Sequence, residues 1–191
     1  MVARLTICLL LACLIMGSPA SVSAGTVWEE MFPDGLWNAK GENVGPKVLE
    51  GKLVGLYFSG HWCPDCRRFT PRLITFRNLN QADIEIVLIS YDKSEAEMWT
   101  YMTTTKMPWL TAGYKTPAAE ALKARFKPAS IPCLVVLSPT GKVVTLEGVP
   151  DVQNAPETCL HAWKAAAAQA AADETAPPPA PAAGEAGEID D

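Results

Sequence analysis

Histidine is scarce in this chain: its 191 residues contain only two, His61 and His161. A zinc site built on a cysteine pair would need two further donors, and the thiols and imidazoles available are Cys133, Cys159, His61 and His161. Cys159 and His161 stand two apart on a predicted helix and point to different faces, which is poor ligand geometry. No metal is expected. No dinucleotide-binding glycine motif is present either, so no bound cofactor is expected. Net basic charge is also missing. The formal charge is −5, but six of the 21 acids fall in the last nineteen residues, leaving 16 bases against 15 acids in residues 1–172. A near-neutral body gives no electrostatic case for nucleic acid.

The two ends differ from the middle. The opening "MVARLTICLLLACLIMGSPASVSAG" has one positive charge at Arg4 and an apolar run over residues 5–16 that is too short to span a bilayer comfortably. Val22-Ser23-Ala24 then offers a peptidase site before Gly25. This is the plan of a secretory signal peptide over residues 1–24, with a location in the secretory pathway: secreted, lumenal or periplasmic. The alternative is an uncleaved membrane anchor. Cleavage would remove Cys8 and Cys13 and leave Cys63, Cys66, Cys133 and Cys159 in an oxidising compartment. The closing "DETAPPPAPAAGEAGEIDD", residues 173–191, has no aromatic residue and no base. It should be a disordered acidic tail, because so little apolar surface cannot offset its ordering entropy.

Residues 25–172 read as one α/β domain without an internal repeat. "KLVGLYFS" (52–59), "IEIVLISY" (84–91) and "CLVVLS" (133–138) are apolar, β-branched runs of strand length. Gly141 turns the third into "KVVTLEG" as a hairpin partner. Helical signals fill residues 66–79, 94–105, 117–126 and 156–172. Ser94 with Glu97 fits a capping box, and Pro117 a first-turn proline. Two strands joined through a helix pair in parallel with a right-handed crossover. The hairpin adds antiparallel strands, giving a central mixed β-sheet flanked by helices.

Reactive groups in such sheets gather beyond the carboxyl ends of the strands, and there the sequence reads "GHWCPDCRRFTP". If a helix begins near Cys63, its first-turn amides and its dipole both favour a thiolate at that position, on an exposed sulfur. Cys66 lies one turn later on the same face, close enough to close a disulfide and shielded enough to act second. Pro64 suits a first turn. Trp62 forms a flat apolar wall over the pair, and Asp65 opposes a neighbouring thiolate, which points to a moderate reductant or exchanger. Two other readings stay open at this point: a structural disulfide, whose short loop would constrain the unfolded chain little, and half of a zinc site.

"GKLVGLYFSGHWCPDCRRFTPRL", "SYDKSEAEMWTYMTTTKMPWL" and "ASIPCLVVLSPTGKVVT" occur in this order over roughly residues 28–150. Together they resemble the tryparedoxin and nucleoredoxin branch of the thioredoxin-like superfamily. The resemblance implies a thioredoxin-like fold, Cys63 as nucleophile, Cys66 as resolving cysteine, a redox-active Cys63–Cys66 disulfide and Trp62 as active-site aromatic. It also implies a cis Ile131–Pro132 bond whose loop faces the sulfurs. Pro64-Asp65 departs from the usual Pro-Pro of the branch, and Tyr57 stands where thioredoxins carry a buried acid. Relatives of the branch are largely intracellular, which pulls against export.

The function expected is thiol–disulfide oxidoreduction as a protein-disulfide reductase. Its partners would be disulfide-bearing protein substrates and a dithiol electron donor, with no nucleic acid, and with a membrane only if the amino-terminal segment stays uncleaved. A monomer is expected. The alternative is a non-catalytic binding module with an inert disulfide. Cys133 reads either as a small apolar strand residue or as a third thiol. Asp92 reads either as an acid supporting the site or as a helix-start residue. Pro71 should kink the active-site helix.

Overall fold

The computed structural model describes residues 25–175; the segments read as a signal peptide (1–24) and as most of the acidic tail (176–191) lie outside the described residues. Strands β1 (Leu53–Ser59) and β2 (Ile84–Ser90) are buried at every position, which is why neither alternates polar with apolar. They run parallel, with Leu53 opposite Ile84 and Ser59 opposite Ser90, so both end at one level. The crossover between them is α2 (Pro64–Leu79). A two-residue β3 (Leu110–Thr111) adds to the parallel side, β4 (Cys133–Leu137) lies antiparallel to β1, and β5 (Val143–Thr145) follows beyond it. The order β3-β2-β1-β4-β5 is the mixed sheet expected from the strand runs.

Period-two alternation along β1 divides its side chains between two cores. Leu53 and Tyr57 join Phe69 and Leu73 of α2, Met98 and Tyr101 of α3 (Glu95–Thr104) and Trp163 of α6 (Cys159–Thr175). Val54, Leu56 and Phe58 join Trp28 of α1 (Val27–Met31) and Leu122 of α4 (Pro117–Phe126). Helices therefore cover both faces, and the sheet ends are where polar chemistry can reach the chain.

Several boundaries differ from the sequence expectation. Helix α2 starts at Pro64, two residues before the expected 66, with Pro71 inside it. Ser94 caps α3, accepting the Glu97 N–H at 3.2 Å, but the Glu97 carboxylate reaches the N–H of Lys93 instead of closing the box on Ser94. Helix α6 begins at Cys159 and runs past residue 172 into the segment read as tail. Four elements were not anticipated: α1, a 3-10 helix at Pro46–Leu49, β3 and α5 (Gly148–Asn154). The first carries a complete capping box from Thr26 and Glu29 but is only five residues long, too short to show a helical period.

Helix α5 packs on β4 through Gly148, where an added Cβ would lie 2.6 Å from the Leu134 carbonyl oxygen. That neighbour is backbone and cannot swing away. Gly148→Ala should therefore lower stability by about 1–3 kcal/mol, the usual range for overpacking. Urea denaturation checks this, and an unchanged midpoint would refute the close packing.

Candidate active site at the end of β1

The chain leaves β1 at Ser59, turns through Gly60, His61 and Trp62, and enters α2 with Cys63 as its N-cap. Cys63 has extended backbone angles, and its Sγ accepts the N–H of Cys66 at 3.2 Å. That is the place an N-cap serine or aspartate oxygen usually takes. Pro64 fills the first helical position, where an N–H would have no helical partner. The Asp65 carboxylate turns outward to Arg68 in a well-exposed ion pair, and the Arg67 guanidinium donates to the His61 carbonyl oxygen. The opposition Asp65 could offer a thiolate at Cys63 is thus weakened by Arg68 and by solvent.

The two sulfurs sit in unequal surroundings. Cys66 is fully buried, and burial pushes its thiol up to about 12, aided by its hydrogen bond with Cys63 and opposed by bonds from the Ser59 hydroxyl and the Gly60 backbone. Cys63 is not the exposed sulfur expected from the sequence: the residue is only 5% accessible. It packs against the loop before β4, donating its thiol hydrogen to the Ile131 carbonyl oxygen at 3.5 Å. The Ile131–Pro132 bond of that loop is cis. Trp62 is 51% exposed, with its indole N–H held by the Tyr91 carbonyl at 2.8 Å.

Asp92, just past β2, is buried and supports the turn before the cysteines. One carboxylate oxygen accepts the His61 N–H at 2.6 Å and the other the Ser90 hydroxyl at 2.8 Å. Burial holds its carboxyl above the usual range, although both hydrogen bonds pull the other way.

Tyr57 points its hydroxyl to Thr70 Oγ1 at 2.9 Å and to the Cys66 carbonyl at 3.4 Å. Thr70 Oγ1 also lies 2.6 Å from the Tyr101 hydroxyl, which is 3.2 Å from Ser59 Oγ. Ser59, Thr70 and Tyr101 were not singled out from the sequence. Thr70 follows Cys66 by one helical turn, a usable signal, whereas Tyr101 is 42 residues from Ser59 and reaches it only through the fold. The His61 ring stacks on Tyr101 with centroids 5.2 Å apart.

The remaining candidates are placed as follows. Cys133 is half-buried opposite Phe58 and lines a cavity of about 330 Å³ with Pro132 and Glu147; burial raises its thiol and the Glu147 carboxylate adds to the rise. Cys159 packs in the core, and burial lifts its thiol to about 11. Trp109 is buried and meets the Tyr57 ring edge-on. Met98 and Met102 are core, with Trp99 partly buried beside them. Among the described residues the four cysteines are free thiols, and no cluster of histidine, cysteine and carboxylate could hold a metal ion.

A family profile described as Thioredoxin-like matches residues 51–143. Tryparedoxin II from C. fasciculata is 33% identical, with a TM-score of 0.63 over 69% of this chain and 89% of its own. The chain belongs to the tryparedoxin and nucleoredoxin branch of the thioredoxin-like superfamily. Mouse nucleoredoxin is 34% identical over 71% of this chain and 32% of its own length. Probable nucleoredoxin 1 of Arabidopsis thaliana is 38% identical over 67% of this chain and 23% of its own. The chain thus spans between about a quarter and a third of the curated relatives it matches. The sheet and its helices are the thioredoxin-like fold.

This kinship overturns the secretory-pathway location expected from residues 1–24. The nucleoredoxins matched at 34–38% identity give it no support, and no helix among the described residues is long and apolar enough to cross a membrane. The expectation rested on composition alone, in a segment outside the described residues.

Burial of Cys66 can be read directly. In a Cys63→Ser chain, alkylation of Cys66 should be slow at neutral pH and keep accelerating toward pH 12, followed by mass-spectrometric mapping of the modified site. A plateau near the ordinary cysteine value of about 8.5 would show that burial does not hold the proton.

Proposed function

We propose that the protein is a thiol–disulfide oxidoreductase in which Cys63 attacks and Cys66 resolves. Cys63, as thiolate, displaces one sulfur of a substrate disulfide and forms a mixed disulfide with the other. Cys66 then attacks the Cys63 sulfur, the Cys63–substrate bond breaks, and the substrate leaves reduced while Cys63 and Cys66 close a disulfide. A dithiol donor restores the pair by the reverse exchange. No bound cofactor enters, since two sulfurs carry both electrons. The substrates are protein disulfides, approached between half-exposed Trp62 and the Ile131–Pro132 loop. The working unit is residues 25–172, and the acidic segment after it takes no part in the exchange.

One observation carries this reading: the unequal settings of two sulfurs one helical turn apart. The Cys63 sulfur already accepts an amide hydrogen at a helix start, which suits a thiolate, while burial keeps Cys66 protonated until the mixed disulfide brings a sulfur to attack. A structural disulfide would gain nothing from that asymmetry. Membership of the thioredoxin-like superfamily supports the same class of reaction.

Dithiothreitol-driven reduction of a protein disulfide should depend on Cys63, falling by at least about a hundredfold in Cys63→Ser, as loss of a covalent nucleophile demands. Equal rates for the two chains would leave a binding module on the same fold. Cys66→Ser should instead retain substrates covalently on Cys63, released by reductant and visible on non-reducing gels. The Asp65 charge bears on the redox poise alone. Asp65→His should raise the reduction potential by about 20 mV, the equivalent of the roughly 1 kcal/mol an exposed charge can supply. A potential unchanged or lowered against a glutathione buffer would show that Asp65 has no such effect.

A further inference from the structure

Cys66 must lose its proton in the resolving step, and no carboxylate stands at the position from which thioredoxins supply one: that position is Tyr57. The titratable groups facing the Cys66 thiol are Tyr57 from β1, Tyr101 from α3 and Cys63 from its own helix, none of them a carboxylate. What surrounds it is a row of hydroxyls. The Ser59 hydroxyl acts on the Cys66 thiol, lowering its hold on the proton, while Tyr101 is hydrogen-bonded to Ser59 at 3.2 Å, Thr70 to Tyr101 at 2.6 Å, and Tyr57 to Thr70 at 2.9 Å. All four residues are fully buried. In each of the three hydroxyl–hydroxyl contacts either oxygen can be the donor, so the row can run in two directions.

We propose that this row is a reversible hydrogen-bond chain that stabilises the thiolate of Cys66 as it forms, doing with rotating hydroxyls what a buried carboxylate does by taking up a proton. While Cys66 is a thiol, its S–H donates to Ser59, Ser59 to Tyr101, Tyr101 to Thr70, and Thr70 to the Cys66 carbonyl oxygen, a contact of 2.9 Å. As the S–H bond breaks, every hydroxyl turns. Tyr57 donates to Thr70, Thr70 to Tyr101, Tyr101 to Ser59, and Ser59 to the sulfur. No net charge enters the buried row; only bond directions change, and each bond in an aligned row strengthens the next. Tyr57 and Tyr101 suit the task because burial, their largest cause of shift, holds both phenols above their ordinary range, so they stay donors.

The atoms balance. Cys66 first gives its proton to solvent and becomes the thiolate that Ser59 faces; the Cys66–Cys63 sulfur bond then forms, the Cys63–substrate sulfur bond breaks with its electron pair, and the substrate leaves as a thiolate that takes up a proton from water. Ser59 is the member of the row that acts on the Cys66 sulfur in this scheme. Tyr101, Thr70 and Tyr57 are positioning residues that act through it.

The proposal rests on the exchange between Cys63 and Cys66 described above, and one experiment separates the two. The reduced full-length chain is mixed with 5,5′-dithiobis(2-nitrobenzoate), and the trace of Cys63→Ser is subtracted to remove the other thiols. Attack by Cys63 releases a first thionitrobenzoate; attack by Cys66 on the resulting mixed disulfide releases a second. Ser59→Ala should slow the second phase about ten- to a hundredfold, the worth of a hydrogen bond to a charged group. It should also move the pH midpoint of that phase upward, with the first phase unchanged. Ser59→Thr should restore the second phase. Tyr101→Phe keeps the ring under His61 and removes only a hydroxyl, so it should slow the second phase by a smaller factor; it decides the matter if Ser59→Ala fails to fold. A second phase with wild-type rate and pH dependence in Tyr101→Phe and in folded Ser59→Ala overturns the hydroxyl chain and leaves the exchange standing. A wild-type trace with no Cys63-dependent first phase overturns the exchange, and the hydroxyl chain falls with it.

Discussion

The site depends on one contact, the hydrogen bond from the Cys66 backbone N–H to the Cys63 sulfur. It makes a sulfur the N-cap of a sixteen-residue helix, so the start of α2 and the position of that sulfur are a single fact. Everything upstream serves that placement. β1 is buried over its whole length and paired on both sides, by β2 and by β4, so its end cannot drift. Because β4 runs antiparallel to β1, its first residue lies beside the last residues of β1, with Cys133 opposite Phe58. The preceding Ile131–Pro132 loop therefore arrives at the cysteines without needing a contact of its own to steer it. Asp92 completes the frame from β2 by holding the backbone of His61.

What the sequence made legible follows from which signals are local. β1, β2, β4 and helices α2 to α4 carry continuous apolar runs or caps, and their positions could be read within a few residues. The cysteine pair was legible because strand, turn and helix N-terminus adjoin in the chain. The elements that escaped are short or irregular. Leu110–Thr111 is a strand only because Val87 and Leu88 lie beside it, and two residues have no period. Helix α5 starts at Gly148, the last residue of the run 142–148 read as a hairpin partner, of which only Val143–Thr145 is strand. The burial of Cys63 escaped for a similar reason: the covering carbonyl of Ile131 is 68 residues away in sequence.

The electrostatics of the interior show one preference throughout. Burial is the largest cause of every shift among the described groups, and the buried cluster at the sulfurs is made of hydroxyls and a thiol, groups that are neutral at ordinary pH. An ionised group there would carry a heavy desolvation cost in both states of the pair. The buried carboxylate that supports the turn, Asp92, has both oxygens engaged, one by the His61 N–H and the other by the Ser90 hydroxyl. A site of this kind can hold a protonated Cys66 cheaply and needs help only at the moment charge develops.

The contact between Cys63 and Ile131 bears on how a substrate gains entry to a sulfur that is only 5% accessible. The thiol can donate to the Ile131 carbonyl; a thiolate cannot, and its charge is repelled by the same oxygen. Ionisation thus replaces an attraction between α2 and the proline loop with a repulsion, while the bond from the Cys66 N–H strengthens.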